Sequence, residues 1–455
     1  MTNHIETVNL LAEKAGILPE FSAEGRIYKT SFETQIAVLK GLGIDASVPE
    51  KAEQALQAEL EKPFKRALPP VVVARIEKGV AEIPVTVHAK GKHSRIDYVL
   101  TLESGEQTFG HAVPAMLEKI DANGEYERVK LVLDLPDVMG YHSLTVESPD
   151  LPETGRMMTL IVAPTKCYQP DMMREGGKPW GYPLQLYALR SAENWGIGDF
   201  TDLGKMAGVA QRFGADILGI NPINVAFMAN VETASPYYSS SRLFLNPLYI
   251  DVMAVNGAQK SKKLQALLAD KDFQAKLQKA RASRIVEYAL VGELKGKAFE
   301  ALYADFNGSD AFDAFCEKGG EALDNAALYQ VLAENFVLKK KGVGFKSWGK
   351  AYASPDTAQS KKFAKEHADR IRYFKYLFWL ADAQFKAASE ACGQANLGIG
   401  LYQDLAVGVA AESAETWGAQ ELFAVDLSIG SPPDMFNADG QRWGVAPMRP
   451  ARMRE

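Results

Sequence analysis

Four segments of this 455-residue chain concentrate side chains that could recognise a polyol. In residues 185–207, Gly196 and Gly198 flank Ile197, so the backbone can turn tightly after a short apolar run, and Trp195 stands on that turn. Its indole offers a flat apolar face for a sugar ring, or else a wedge between loop and core. Asp199 could bind sugar hydroxyls, or only cap the helix that follows. In residues 234–252, Ser235, Ser239, Ser240 and Ser241 crowd around Tyr237 and Tyr238. Aromatic faces among short hydroxyls suit a ligand that both stacks and exchanges hydrogen bonds, although the same composition makes ordinary turns. In residues 400–417, Asp404 ends a buried apolar run. A carboxylate there is either paired within the structure or functional, because leaving it unpaired is costly. In residues 428–450, turn formers surround Asp434, Gln441 and Trp443, the composition of an active-site lid or of a long connection.

Other chemistries find little support. The two Gly-Ile-Gly triplets lack the third glycine and the Lys-Ser/Thr of a phosphate loop. Cys167, Cys316 and Cys392 have no metal-ligand spacing, and no His-x-x-x-His pair occurs. A net charge of −6, from 51 basic and 57 acidic residues, disfavours a dedicated nucleic-acid binder. The first residues, MTNHIETVNLLAEKAG, have no signal-peptide core. No run approaches the roughly 18 apolar residues of a membrane span. These features point to a cytoplasmic protein with no membrane or nucleic-acid partner.

Three kinds of pattern position the four segments. Residues 1–66 read as helical: Val8, Leu11, Ala12 and Ala15 recur at helix spacing, and further helices are predicted over 31–42 and 49–61. Residues 67–165 switch to period two. Val129, Leu131, Leu133 and Leu135 alternate with Lys130, Val132 and Asp134, and Val85 and Val87 with Thr86 and His88. Short strands split by Gly- and Asp-rich turns predict a small β-sandwich. From residue 166, apolar runs at Pro183, Asp216 and Asn396 alternate with helix-like stretches at 203–213 and 373–391. That βαβ order implies parallel strands. Between the second and third runs, about 258–369, lysine-rich amphipathic helices are inserted, either as a substrate-gripping cap or as a solvated subdomain.

Read in order, QLYALRS–NWGIGDF, INPI, ASPYYSSSRLFLNPLYIDV, GLYQDLAVGV and SPPDMFN–GQRWG resemble the amylomaltase, or 4-α-glucanotransferase, family over roughly residues 160–450. The insert VEYALVGELKGKAFEALYADF and the segment around Trp348 match that family too. The resemblance implies an α/β fold, an incomplete (β/α)8 TIM-type barrel with a helical insertion, preceded by the helical segment and the β-sandwich. It implies transfer of α-1,4-glucan segments between maltooligosaccharides by a retaining double displacement, with no metal or organic cofactor. It carries substrate-binding positions onto Trp195, Ser235, Tyr237, Asp404, Asp434, Gln441 and Trp443. Asp404 then matches a carboxylate that organises the site rather than attacks.

In this family the nucleophile lies in an R-I-D-H type strand after a W-G-x-x-P loop. The acid/base lies in a later G-E-D-L type motif, and a third aspartate comes later still. Here WGVAP is followed by MRPARMRE, and none of the three motifs occurs. The nucleophile and acid/base are therefore expected beyond Glu455, with no catalytic residue inside the chain. Three strand candidates against the eight of a barrel of about 250 residues point the same way. The chain is expected to be the N-terminal portion of such an enzyme and inactive alone. The alternative is a non-catalytic glucan-binding or regulatory protein built from the same modules.

Overall fold

The computed structural model describes residues 4–91 and 94–454, so Glu455 lies outside the described residues. Its contacts divide the chain into two compact units. One comprises Met1–Gln169, Pro433–Asp439 and Met448–Glu455, the other Pro170–Pro432 and Gly440–Pro447.

The first unit holds two separate cores. In the helices His4–Lys14, Phe32–Gly41 and Pro49–Glu61, apolar residues at helix spacing bury one stripe each, and Val8, Leu11, Leu39 and Ala52 meet in a small cluster. Ser31 caps the second helix by accepting from the Thr34 amide. The second core lies between two sheets. One has five strands, in the order Val71–Arg75, Met157–Ala163, Gly140–Glu147, Ile96–Thr101, Gln107–Ala112. The other has three, Val80–His88, Tyr126–Asp134 and Glu118–Ala122. Alternation does the sorting: Val129, Leu131 and Leu133 point inward beside Val85, Ile83 and Ala81, their register partners.

The second unit is built on three parallel strands, Gly181–Leu184, Ile217–Ile220 and Gly400–Gln403, with Ile217–Ile220 in the middle. Helix Phe200–Arg212 connects the first two strands. Helix Ala368–Gln394 precedes the third. Between the second and third strands run helices Lys262–Ala269, Lys271–Ala282, Tyr288–Tyr303, Asp310–Leu338 and Ala358–Glu366. Strands and helices share one continuous core, in which Phe200, Phe374, Phe378 and Trp417 are almost fully buried.

Residues 428–450 depart from a simple loop. Ile429–Ser431 and Val409–Ala410 both pair antiparallel with Gln441–Ala446. The turn formers cluster at 432–440, which leaves the flanking residues free to pair. Among the described residues no helix is long and apolar enough to cross a membrane.

Candidate functional site

The C-terminal ends of parallel strands are where open α/β sheets place their ligands. At this edge, the Asp404 amide donates to the Ile220 carbonyl at 3.0 Å, extending the ladder one residue past the strand. The Asn221 side chain ties the first and second strand ends by accepting from the Leu186 amide at 2.8 Å. Tyr237 reaches over this edge from the 234–252 segment, and its Oη donates to Asp404 Oδ2 at 2.9 Å. The Asp404 carboxylate, followed by partial burial, raises the Tyr237 pKa, so the phenol stays protonated and remains a donor.

Beside this pair lies an open cleft of ≈ 530 Å³ lined by Ser235, Tyr237, Tyr238, Leu405, Val407, Trp443 and Val445. Three aromatic rings and three aliphatic side chains make its walls, with hydroxyls from Ser235 and the tyrosines. Tyr237 is 54% exposed and Trp443 43%, so both rings are offered to a ligand. Trp443 Nε1 donates to Gln441 Oε1 at 3.1 Å, which fixes the indole at the mouth. Leu405, Val407 and Val445 did not stand out in the sequence. For Leu405 and Val407 the signal was the alternation of Leu405, Val407 and Val409 immediately behind Asp404; Val445 carried none.

The serines divide. Ser235 lines the cleft, whereas Ser239, Ser240 and Ser241 are at most 1% exposed. Ser240 serves the fold by accepting from the Ala414 amide through Oγ and from the Glu415 amide through its carbonyl. Next to it Arg242 meets Glu415 in a largely buried ion pair at 3.2 Å, and Glu415 also accepts the Arg242 amide at 2.6 Å. These contacts hold strand Ser241–Leu245 against helix Ala414–Gly418, and so set where Tyr237 emerges.

Trp195 is placed elsewhere. It is 3% exposed, and its ring meets Phe273 edge-on at 5.6 Å. Of the two roles open to it, the packing fits the wedge. Gly196 beside it has φ +84, and an added Cβ would lie 2.7 Å from the Ala280 carbonyl oxygen, so the turn demands glycine. Asp199 caps helix Phe200–Arg212 in a reciprocal box with Asp202. Burial pushes its pKa up to about 6. The opposing charge that acts on it is Lys295, 1% exposed, whose Nζ donates to the carbonyls of Leu248 and Ile250 at 2.6 and 2.7 Å. Asp434 Oδ1 accepts from the Phe436 and Asn437 amides in its own turn, within the segment that groups with the first unit. The cleft therefore brings together Ser235, Tyr237 and Trp443, with Asp404 joined through Tyr237 and Gln441 through Trp443. Trp195 and Asp434 are not on its walls. Among the described residues, no group of three or more His, Cys, Asp or Glu side chains is placed to hold a metal ion.

Comparison with known proteins gives consistent matches. Residues 184–455 match the family described as 4-alpha-glucanotransferase, and residues 67–164 match the MalQ N-terminal beta sandwich domain. A 4-alpha-glucanotransferase of Haemophilus influenzae is 33% identical over 371 residues, covering 78% of this chain and 52% of that protein. One from Mycobacterium bovis is 31% identical over 478 residues, covering 100% of this chain and 63% of its own length. The crystal structure of amylomaltase from Corynebacterium glutamicum has a TM-score of 0.77 at 26% identity, covering 99% of this chain and 61% of that one. The chain thus spans between 52% and 63% of the length of these relatives.

Proposed function

The chain belongs to the 4-alpha-glucanotransferase family, and we propose on that premise that its cleft binds α-1,4-linked maltooligosaccharides. The observation that carries this reading is the Tyr237–Asp404 hydrogen bond at the edge of an open aromatic cleft. Glucose rings are amphipathic, with apolar faces for Tyr237, Tyr238 and Trp443 and a rim of hydroxyls for Ser235, Asp404 and Gln441. We read the three parallel strands as part of a (β/α)8 barrel. The three-part division at 1–66, 67–165 and 166–455 is supported by three separate hydrophobic clusters. Three unpaired cysteines are in keeping with a reducing cytoplasm.

The reaction we assign is glucan transfer with retention. One carboxylate attacks the anomeric carbon while an acid about 5 Å away protonates the leaving oxygen, and an acceptor sugar then replaces water in the second step. The cleft wall carries no carboxylate of its own, and Asp404 reaches it through Tyr237. We therefore infer that these residues bind and orient the glucan and do not break the bond by themselves. Incubating the pure chain with maltotriose is expected to leave it intact, and glucose together with longer maltooligosaccharides would overturn the inactivity. Maltoheptaose is expected to change tryptophan fluorescence saturably in the parent chain but not in Trp443→Phe. A parent chain without a saturable change would sink the binding site itself.

A further inference from the structure

The helical insertion and the helix behind it carry a second cavity, of ≈ 580 Å³, that shares no lining residue with the Tyr237 cleft. Helices Asp310–Leu338, Ala358–Glu366 and Ala368–Gln394 wall it. The first is broken at Gly320, where φ 47 and ψ −141 suit a residue without a Cβ. The break puts Phe312 and Cys316 on one stretch of the wall and Asp324 and Leu328 on another.

Most of the wall is apolar, with Phe312, Leu328, Ala364 and Ile371 among its residues. Its charges balance in number, with Glu321, Asp324 and Asp356 against Lys361, Arg372 and Lys375, but only two of each are paired with one another. Lys361 pairs with Asp356 at 2.8 Å, and Lys375 pairs with Asp324. Arg372 has no such ion pair among the described residues. Its guanidinium lies over the rings of Tyr303, Phe306 and Phe312, at 5.7, 5.2 and 5.3 Å from their centroids. Its hydrogen bond goes to Tyr303 Oη at 3.4 Å. Ring faces attract the cation and fix its plane, but they do not satisfy five in-plane N–H donors. A planar donor set held rigid beside an apolar hollow is what a carboxylate fits.

We propose that this cavity is a ligand site for a small organic anion, a carboxylate on an apolar body, with Arg372 holding the charged end and Phe312, Leu328 and Ile371 packing on the rest. Its volume lies in the range of small-molecule sites. The site is independent of the glucan reading and stands or falls separately from it.

Cys316 on the cavity wall is the reporter, and the exposed Cys167 is the internal control. Octanoate at about ten times its dissociation constant is expected to slow iodoacetamide alkylation of Cys316 about tenfold, because the free fraction falls as 1/(1 + [L]/Kd). The rate at Cys167 is expected to stay unchanged. Neither 1-octanol, which lacks the charge, nor glucose 1-phosphate, which lacks the apolar body, is expected to protect. Arg372→Met is expected to abolish the protection while circular dichroism stays that of the parent chain. Should that variant not fold, Ala364→Trp fills the cavity from its partly exposed wall and is expected to give the same loss. No protection by octanoate overturns the proposal, as does equal protection by 1-octanol or protection that survives both variants. Protection by glucose 1-phosphate in place of octanoate overturns the apolar-body assignment.

Discussion

Tyr237 holds Asp404 at a solvent-reachable edge, so the bond matters more to geometry than to stability. Tyr237→Phe keeps the ring and removes the donor. It is expected to change unfolding stability by less than about 1 kcal/mol, as for other exposed polar contacts. It is expected to weaken maltoheptaose binding roughly three- to tenfold, the equivalent of one net hydrogen bond. Equal affinity of the two chains, measured by titration calorimetry, would count against a ligand-positioning role for the pair. Asp199 behaves in the opposite way, because it is buried. Its folded pKa is raised from 3.8 to about 6, so between those values the folded state holds the proton more tightly than the unfolded state. Its contribution to stability is therefore present below about pH 4 and is lost as pH rises towards 6. Asp199→Asn keeps the capping oxygen and removes the titration. The stability of the variant relative to the parent is expected to increase from pH 4 to pH 6.5 in urea melts. A constant difference would contradict the assignment.

At the scale of elements, the cleft depends on contacts between parts distant in sequence. Strand Ser241–Leu245 and helix Ala414–Gly418 are joined by the Arg242–Glu415 pair, whose side chains are 16% and 8% exposed. Glu415→Ala removes an acceptor that serves the Arg242 amide and guanidinium together. Breaking one side of a buried pair costs on the order of 3 kcal/mol. Urea unfolding is expected to show most of that loss, and limited proteolysis is expected to cut near residue 237 faster. A loss below about 0.5 kcal/mol, the level of a neutral surface change, would contradict it. The elements themselves were legible to different degrees. Helix Pro49–Glu61 begins at a proline and stops short of Pro63, so local chemistry marks both ends. Alternation likewise exposed Tyr126–Asp134 as a strand. The three-stranded ribbon that residues 428–450 form with Val409–Ala410 was not legible, because its strands are two to six residues long and one of them comes from some distance up the chain.

For the whole molecule, the three thiols report three depths of structure. Cys167 is exposed, Cys316 partly buried, and Cys392 buried in the core of the second unit. Burial also raises the pKa of Cys316 and Cys392, which leaves less thiolate to react. Alkylation at pH 8 is expected to follow the order Cys167, Cys316, Cys392, with Cys392 reacting only as the unit unfolds, as read by peptide mass spectrometry during a urea titration. Fast labelling of Cys392 in the native chain would contradict the packing of helix Ala368–Gln394. Periodicity marked the main helices and the alternating strands of the sandwich, because burying one face of an element imprints its repeat on neighbouring residues, and the βαβ order marked the strands at 183 and 216 as parallel. The reading of residues 1–66 as helical missed the hairpin of Glu20–Ala23 and Arg26–Lys29, whose four-residue strands are too short and too exposed to show a repeat. Motif order alone determined the family. Only the tertiary structure decided which aromatic and hydroxyl residues line an open cleft. Trp195 and Trp443 are both tryptophans beside a glycine, yet one is sealed against Phe273 and the other opens onto a cleft. The difference lies in what the rest of the chain packs over each ring, and local sequence does not encode contacts made with residues far along the chain, such as Phe273 against Trp195.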